Sequence, residues 1–146
     1  MARRVLGLDV GDRRIGVAMS DPLGLTAQRL TVVERRSLAA DVQAIGALIA
    51  QHGVGMLVVG LPLTLRGASG PQAKKVEAFV LALQHRHPVP VEWIDERLST
   101  VEGQRMLRDT GTSRRRRGEM IDQVAAQLIL QQFLERQRGP ETTPPE

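Results

Sequence analysis

The order of short apolar segments along the chain is the feature that most constrains its fold. Residues 5–9, 15–19 and 30–33 are apolar runs of strand length, separated by short turns that contain glycine. Residues 38–52 then carry apolar side chains at helical spacing, and residues 56–60 form another apolar run. Strands joined by tight turns pair antiparallel, whereas a strand reached through a helix pairs parallel. The pattern predicts an antiparallel meander followed by parallel strands.

The rest of the chain is predicted to continue the alternation of helices and strands. The predicted segments are a loop at 61–70, a helix from Pro71, a strand at 91–95, a helix at 99–109, a basic loop at 110–118 and a helix at 119–137. We therefore expect an α/β fold with a mixed five-stranded sheet and helices on both faces. Residues 1–138 are predicted to form one domain, and residues 139–146, rich in proline and threonine, a flexible tail.

Length and composition limit the classes of function. A chain of 146 residues, 42% of them hydrophobic, fits one domain with a proper core. The absence of cysteine excludes disulfides, thiol catalysis and thiolate metal sites. Aromatic residues make up 2% of the chain, so a surface that stacks nucleic-acid bases is not expected. Basic residues outnumber acidic ones by 20 to 16, and most are arginine, which favours a polyanionic partner.

No segment has the form of a signal peptide or a membrane span. The N-terminal apolar run ends at Asp9, too early for a secretory signal. The longest apolar stretch, residues 54–65, is broken by two glycines and a proline and is shorter than the roughly 20 residues that a spanning helix needs. We therefore expect a cytoplasmic protein that does not contact a membrane.

Carboxylates stand at the ends of two predicted strands. Asp9 follows an otherwise apolar run, and Asp95 and Glu96 end the strand that contains Trp93 and Ile94. Sites in α/β sheets form at the carboxyl ends of parallel strands, which favours a functional role. The alternatives are an aspartate that begins the turn at Gly11 and simple solvent exposure at a strand end.

Asp122 is predicted to face the sheet. Ala126, Ile129 and Phe133 follow it at helical spacing, so all four residues share one face of the last helix. A buried carboxylate is costly unless it is paired or neutralised, and this favours a functional role. The alternative is an aspartate that faces water and stabilises the start of the helix.

Together, Asp9, Glu96 and Asp122 predict a metal site. They come from three elements that could converge at one end of the sheet, where their charges would repel one another without a cation. An all-oxygen site suits Mg²⁺ or Mn²⁺, and the three histidines lie at helix ends outside any ligand spacing. A pair of such ions is the recurrent device for phosphodiester hydrolysis. Glu119, three residues before Asp122, is a candidate auxiliary ligand or a residue that stabilises the helix start.

Basic residues near these carboxylates are candidates for binding nucleic acid. The run Arg114, Arg115, Arg116 and Arg117 precedes the predicted last helix, and it is interpreted either as a phosphate-binding segment or as a solvated loop. Thr64, in the loop after the central parallel strand, and Arg13, in the turn after Asp9, are predicted to contact the same substrate.

Several segments resemble the YqgF/RuvX family of RNase H-like nucleases, which are described as Holliday junction resolvases and as pre-16S rRNA nucleases. The resemblance covers roughly residues 4–134. It is carried by residues 9–11 with 15–18, 59–63, Gly67 with 70–73, 95–100, and 122–126 with 129–130. At Thr64 and Arg66 the chain departs from the asparagine and acidic residue that the family often has. The resemblance implies an RNase H-like fold and a metal-dependent nuclease whose acidic residues correspond to Asp9, Glu96 and Asp122.

Competing functions remain open at this point. The favoured one is processing of the 5′ end of pre-16S ribosomal RNA, by a monomer or weak dimer. Resolution of Holliday junctions is the alternative, but it needs two paired active sites, and no apolar helix is left over for a dimer contact. A non-catalytic nucleic-acid-binding module is a third possibility. A phosphotransferase of the actin and sugar-kinase type shares the opening strand and turn but needs a second lobe.

Overall fold

The computed structural model describes residues 3–63, 67–96 and 114–142, and in the last of these segments it describes side chains only for residues 122–137. Strands and helices follow one another in the predicted order. The elements are β1 (Arg4–Val10), β2 (Arg14–Ser20), β3 (Ala27–Glu34), α1 (Leu38–His52), β4 (Val54–Leu61), α2 (Pro71–Arg86), β5 (Val91–Asp95) and α3 (Arg114–Thr142). The helix predicted at 99–109 lies outside the described residues.

The five strands form one mixed sheet in the order β3-β2-β1-β4-β5. β1, β2 and β3 pair antiparallel, and β4 pairs parallel with both β1 and β5. This arrangement confirms the predicted meander with two added parallel strands. The parallel strands β1, β4 and β5 all end at the same edge of the sheet, so Asp9 and Glu96 lie toward one edge.

A separate apolar cluster covers each face of the sheet, which confirms helices on both faces. On one face, α1 and α2 pack against alternate residues of the strands, including Leu6, Leu8 and Leu57. On the other face, α3 packs against Ala18 and Val58. Because side chains alternate along a strand, the residues on the α3 face of β1 are those next to Leu6 and Leu8. Gly7 and Asp9 therefore face α3.

Helix α1 has the predicted limits because its ends carry local stop signals. The Ser37 side chain accepts a hydrogen bond from the Ala40 N–H, which caps the N-terminus. Gly53 closes the C-terminus with φ at 62°, in the left-handed region that favours glycine. Helix α2 begins at Pro71, a residue that suits a first helical turn because its missing N–H has no partner there.

Helix α3 is longer than predicted at both ends. It begins at Arg114 rather than Glu119, so the arginine run forms the start of the helix and not a loop. Arginine is a good helix former, so nothing in the run interrupts the helix. The helix continues to Thr142 rather than ending at Gln137, although Pro140 lacks an amide donor. The limits 1–138 for the domain and 139–146 for a flexible tail thus remain predictions, and residues 139–142 are helical.

None of the helices in the described part of the chain is long and apolar enough to cross a membrane.

Candidate active site

Asp9 lies in the interior of the protein near the end of β1. Its residue is only 2% exposed, and it pairs across the antiparallel ladder with Gly16 of β2. Directly paired residues point to the same face of a sheet, so Asp9 and Gly16 both face α3. β4 pairs with β1 on the side opposite β2. The strand that carries Asp9 is therefore held by backbone hydrogen bonds on both sides.

Gly16 lets α3 approach the sheet beside Asp9. A Cβ atom built on Gly16 would overlap the backbone carbonyl of Asp122. The helix backbone therefore lies directly on β2 at this position, and only glycine leaves room for it. This contact brings Asp122 of α3 next to the strand pair that carries Asp9, and it confirms that Asp122 faces the sheet. Because α3 starts at Arg114, Asp122 lies in the body of the helix rather than in its first turn.

Arg14 is the cationic partner of Asp122. Its Nε atom donates a hydrogen bond to Oδ2 of Asp122 at 2.9 Å, and the two side chains are 13% and 9% exposed. The pair stabilises a carboxylate that would otherwise be costly to bury. We did not identify Arg14 from the sequence. The available signal is its position two residues before Gly16, which places it on the α3 face of β2.

Asp9 and Asp122 line the same cavity. It has a volume of about 330 Å³ and opens to solvent beside the β1–β2 turn. Its lining consists of two buried carboxylates, an exposed acidic residue, two arginines, a glycine and a glutamine: Asp9, Asp122, Asp12, Arg13, Arg14, Gly11 and Gln72. Arg13 is exposed and lines this cavity. The cavity combines carboxylate oxygens with cationic groups, the two kinds of group that a metal ion and a phosphate require.

Glu96 lies on the same face of the sheet, directly after β5. It is 3% exposed, and its Oε2 atom lies 2.5 Å from where a Cβ on Gly60 would be. The same Cβ would also lie 2.5 Å from the Ile129 side chain of α3, which shows that Glu96 is covered by that helix. Glu96 is not among the residues that line the cavity of Asp9 and Asp122, although its carboxylate lies over Gly60 of β4, the strand that pairs with β1.

The structure thus brings two of the three predicted carboxylates into one cavity and places the third on the same face. Within the part of the chain that the structure describes, no three acidic or histidine side chains are grouped so that they could hold a metal ion together. Thr64 lies outside the described residues. The side chains of Glu119 and of Arg114, Arg115, Arg116 and Arg117 also lie outside them.

The β1–β2 turn is held in place by Arg35, which the sequence reasoning missed. Its backbone N–H donates to the Arg13 carbonyl at 2.8 Å, and its guanidinium donates to the Gly11 carbonyl at 2.8 Å. The same guanidinium contacts the buried Asp41 carboxylate at 2.7 Å and lies over the Phe79 ring. Two carbonyls of the turn that connects Asp9 to Arg14 are therefore fixed by one residue.

A larger cavity elsewhere has a different character. It has a volume of about 1060 Å³ and lies between α1 and α2, on the face away from α3. Apolar residues, among them Leu38, Val42 and Leu81, form most of its lining, which includes no carboxylate. Among the described residues of this lining there is therefore no carboxylate to hold Mg²⁺ or Mn²⁺.

Comparison with known proteins finds similar sequences over nearly the whole chain. A family profile described as "RuvX: Holliday junction resolvase" matches residues 3–136. A protein of Moorella thermoacetica named as a pre-16S rRNA nuclease is 54% identical over 133 residues, which cover 91% of this chain and 95% of that one. One of the same name from Myxococcus xanthus is 50% identical over 139 residues, which cover 95% and 92% of the two chains.

Solved structures share the fold. RuvC of Thermus thermophilus in complex with a Holliday junction superposes with a TM-score of 0.60 at 18% identity, covering 94% of this chain and 97% of that one. The Fowlpox virus resolvase in complex with junction DNA gives a TM-score of 0.53 at 8% identity, covering 92% and 98%. These likenesses confirm the predicted RNase H-like fold, and the profile and the close relatives together confirm the family: this chain belongs to the RuvX family.

Proposed function

We propose that this protein is a nuclease that hydrolyses phosphodiester bonds of nucleic acid, and that its substrate is the 5′ end of pre-16S ribosomal RNA. The observation that carries the proposal is a cavity that opens to solvent and is lined by Asp9 and Asp122, two buried carboxylates from separate elements. Relatives up to 54% identical are named for this substrate. The proposed substrate places the enzyme in the cytoplasm, where it acts as a monomer or weak dimer.

The residues of the site fit a divalent metal ion. Asp9, Asp122 and Glu96 offer only oxygen ligands, which suit Mg²⁺ or Mn²⁺ and not zinc. Arg14 makes an ion pair with Asp122 at 2.9 Å. Asp9 and Asp122, which share the cavity, would hold an ion, and we propose Glu96, on the same face of the sheet, and Glu119 as further ligands for one or two ions. A bound ion supplies positive charge that stabilises the negative charge developing on the phosphate oxygens.

The other residues of the site position these carboxylates and the substrate. Arg14 orients Asp122 through its hydrogen bond, and the pairing of β1 with both β2 and β4 fixes Asp9. Arg13, exposed at the cavity, is placed to bind a phosphate group of the substrate. Thr64 and Arg114 to Arg117 are proposed to contact the substrate beyond the cavity.

Resolution of Holliday junctions is the second candidate function. The description of the matching family profile favours it. A resolvase must cut two strands of one junction, so it needs two active sites that act as a pair. Cleavage of a precursor RNA end needs only one site, and this favours RNA for a monomer or weak dimer.

The test is a cleavage assay with the full chain on two substrates. One is an RNA that carries the 5′ extension of pre-16S rRNA, and the other is a four-way DNA junction. We expect cleavage of the RNA in Mg²⁺ or Mn²⁺ and none in excess chelator. Asp9→Asn, Glu96→Gln and Asp122→Asn should each abolish it. Glu92→Gln, which changes an exposed glutamate of β5, the strand that Glu96 follows, is the matched control for Glu96→Gln and should retain full activity.

The outcomes separate the candidates. Faster cleavage of the junction than of the RNA would replace the first proposal with the second. Tight binding of either substrate without cleavage in any divalent metal would leave a non-catalytic nucleic-acid-binding module. A higher metal concentration for half-maximal activity in Glu119→Gln would support the ligand role of Glu119, and an unchanged metal titration would limit that residue to the helix.

A further inference from the structure

A second cavity, lined by both charged and apolar residues, adjoins the one that contains Asp9 and Asp122. It has a volume of about 490 Å³ and lies on the other side of the β1–β2 turn. Gly11, Asp12 and Gln72 line both cavities. The two cavities are therefore neighbours, and a strand that lies in the first reaches the second by passing over the turn. We call the second cavity the turn basin and define it by Gly11, Asp12, Arg36, Gln72 and Lys75.

Two exposed cations, Arg36 and Lys75, line the turn basin. Asp41 is buried and already binds Arg35 at 2.7 Å, so neither of these two charges is available for a ligand. Arg36 is exposed, and within the described part of the chain its guanidinium makes no hydrogen bond or ion pair. Lys75 faces Asp12 at 3.6 Å, but these side chains are 65% and 64% exposed. Exposed pairs of this kind contribute little, so a phosphate can displace the contact.

The surroundings of these cations favour a sugar-phosphate backbone over bases. The one aromatic ring in the lining, Phe79, is covered by the Arg35 guanidinium at 5.0 Å and offers no face for stacking. The backbone N–H of Arg35 donates to the Arg13 carbonyl. Arg36 is the next residue in the chain, so it lies close to Arg13. Exposed cations therefore lie in both cavities, Arg13 in the first and Arg36 and Lys75 in the turn basin. No exposed aromatic ring for base stacking lies between them in the described residues.

We propose that the turn basin binds the phosphodiester backbone of the substrate strand adjacent to the bond that is cleaved, through Arg36 and Lys75. This inference rests on the proposed nuclease function and deepens it, because it assigns a direction in which the substrate strand leaves the carboxylate cavity. The contacts are to phosphates, so they contribute affinity that does not depend on sequence.

The test compares two double variants that lose the same charge. Arg36→Ala with Lys75→Ala removes both basin cations, and Arg29→Ala with Lys74→Ala removes two exposed cations that line neither cavity. The probe is a fluorescent single-stranded RNA with the sequence of the precursor extension. Its binding is measured by anisotropy from low to high salt in chelator, so that no cleavage occurs. Melting temperatures check that all variants fold.

We expect the basin variant to bind about tenfold more weakly than the control variant at about 0.1 M salt. The slope of log affinity against log salt should become less steep by up to about 1.4. Each phosphate contact to a single strand contributes about 0.7, and the variant loses two cations. Equal affinities and equal slopes for the two double variants would overturn the inference, and so would a wild-type protein that does not bind the RNA. Binding that follows the expected pattern without any cleavage in Mg²⁺ or Mn²⁺ would refute the nuclease function and leave the binding surface.

Discussion

The backbone carbonyl of Asp122 lies against Gly16, at a point where a Cβ atom would overlap it. Gly16 is in turn the cross-strand partner of Asp9. One glycine therefore sets the distance between the strand that holds one buried carboxylate and the helix that holds the other. The cavity lined by Asp9 and Asp122 depends on this close approach.

Gly16→Ala should damage both stability and the site. The added methyl group meets backbone rather than a flexible side chain, so α3 has to move away from β2. Overpacking of this kind costs about 1–3 kcal/mol, measurable by urea denaturation. Gly55→Ala is the comparison variant: its Cβ would meet side-chain atoms of the exposed Arg3 rather than helix backbone, so it should cost less than Gly16→Ala. Equal stability of Gly16→Ala and wild type would contradict the close approach.

The Arg14 and Asp122 side chains should show strong coupling. Arg14→Met leaves a buried carboxylate without its cation and should lower the free energy of unfolding by about 3 kcal/mol. Adding Asp122→Asn should restore part of that loss, because the uncompensated charge is removed. Lys75→Met breaks the exposed pair with Asp12 and should cost less than about 1 kcal/mol. A double-mutant cycle with no coupling between Arg14 and Asp122 would show that the ion pair does not stabilise the fold.

Metal binding should be visible in thermal stability without any cleavage assay. Mg²⁺ at about 100 times its dissociation constant should stabilise the wild type by about 2.7 kcal/mol. Asp9→Asn should lose that response, and without metal it should melt at the same or a higher temperature because repulsion between carboxylates is relieved. Calorimetry with and without Mg²⁺ measures both effects. A metal response retained in full by Asp9→Asn would exclude Asp9 as a ligand.

The arginine run at the start of α3 should contribute to substrate affinity. Replacing Arg114 to Arg117 with alanine should reduce the salt dependence of binding by about 0.7–0.9 in slope for each phosphate contact that is lost. Alanine preserves the helix, so the fold of α3 should not change. Because the lost contacts are to substrate phosphates, the change should affect affinity more than turnover at saturating substrate. An unchanged slope in an anisotropy titration would mean that the run is only solvated.

Asp21 should make stability depend on pH in the acid range. The Thr26 N–H and then the Leu25 N–H donate to its carboxylate and hold the pKa of Asp21 below its ordinary value of 3.8. A carboxylate whose pKa is lowered by folding stabilises the protein fully at a pH above its pKa in the unfolded chain. That stabilisation is lost as the pH falls through its pKa in the folded protein. Asp21→Asn should therefore be slightly less stable than wild type at pH 7, and the difference should shrink below pH 3.8 and disappear once the pH is below the lowered pKa of Asp21 in the folded protein. A difference that persists at pH 2 would show that the charge of Asp21 is not its cause.

Local signals in the sequence determined most of the fold. Helix α1 has the predicted limits because Ser37 and Gly53 act within one turn of its ends. The apolar stripe of α3 predicted the burial of Asp122, because Ala126, Ile129 and Phe133 had to cover the sheet and Asp122 shares their face. The start of α3 was predicted incorrectly, because a run of arginines is compatible both with a solvated loop and with a helix.

The contacts that build the site were decided only by the tertiary structure. Arg14 and Asp122 are 108 residues apart, and no periodicity in the sequence links them. Their contact requires β2 to lie beside β1 and α3 to pack on β2 at Gly16. The link from Arg35 to Gly11 spans 24 residues and depends on how β3 leads into α1. Periodicity predicts which face of an element is buried, whereas the pairing of two distant side chains depends on the order of the strands and on how closely a helix can approach them.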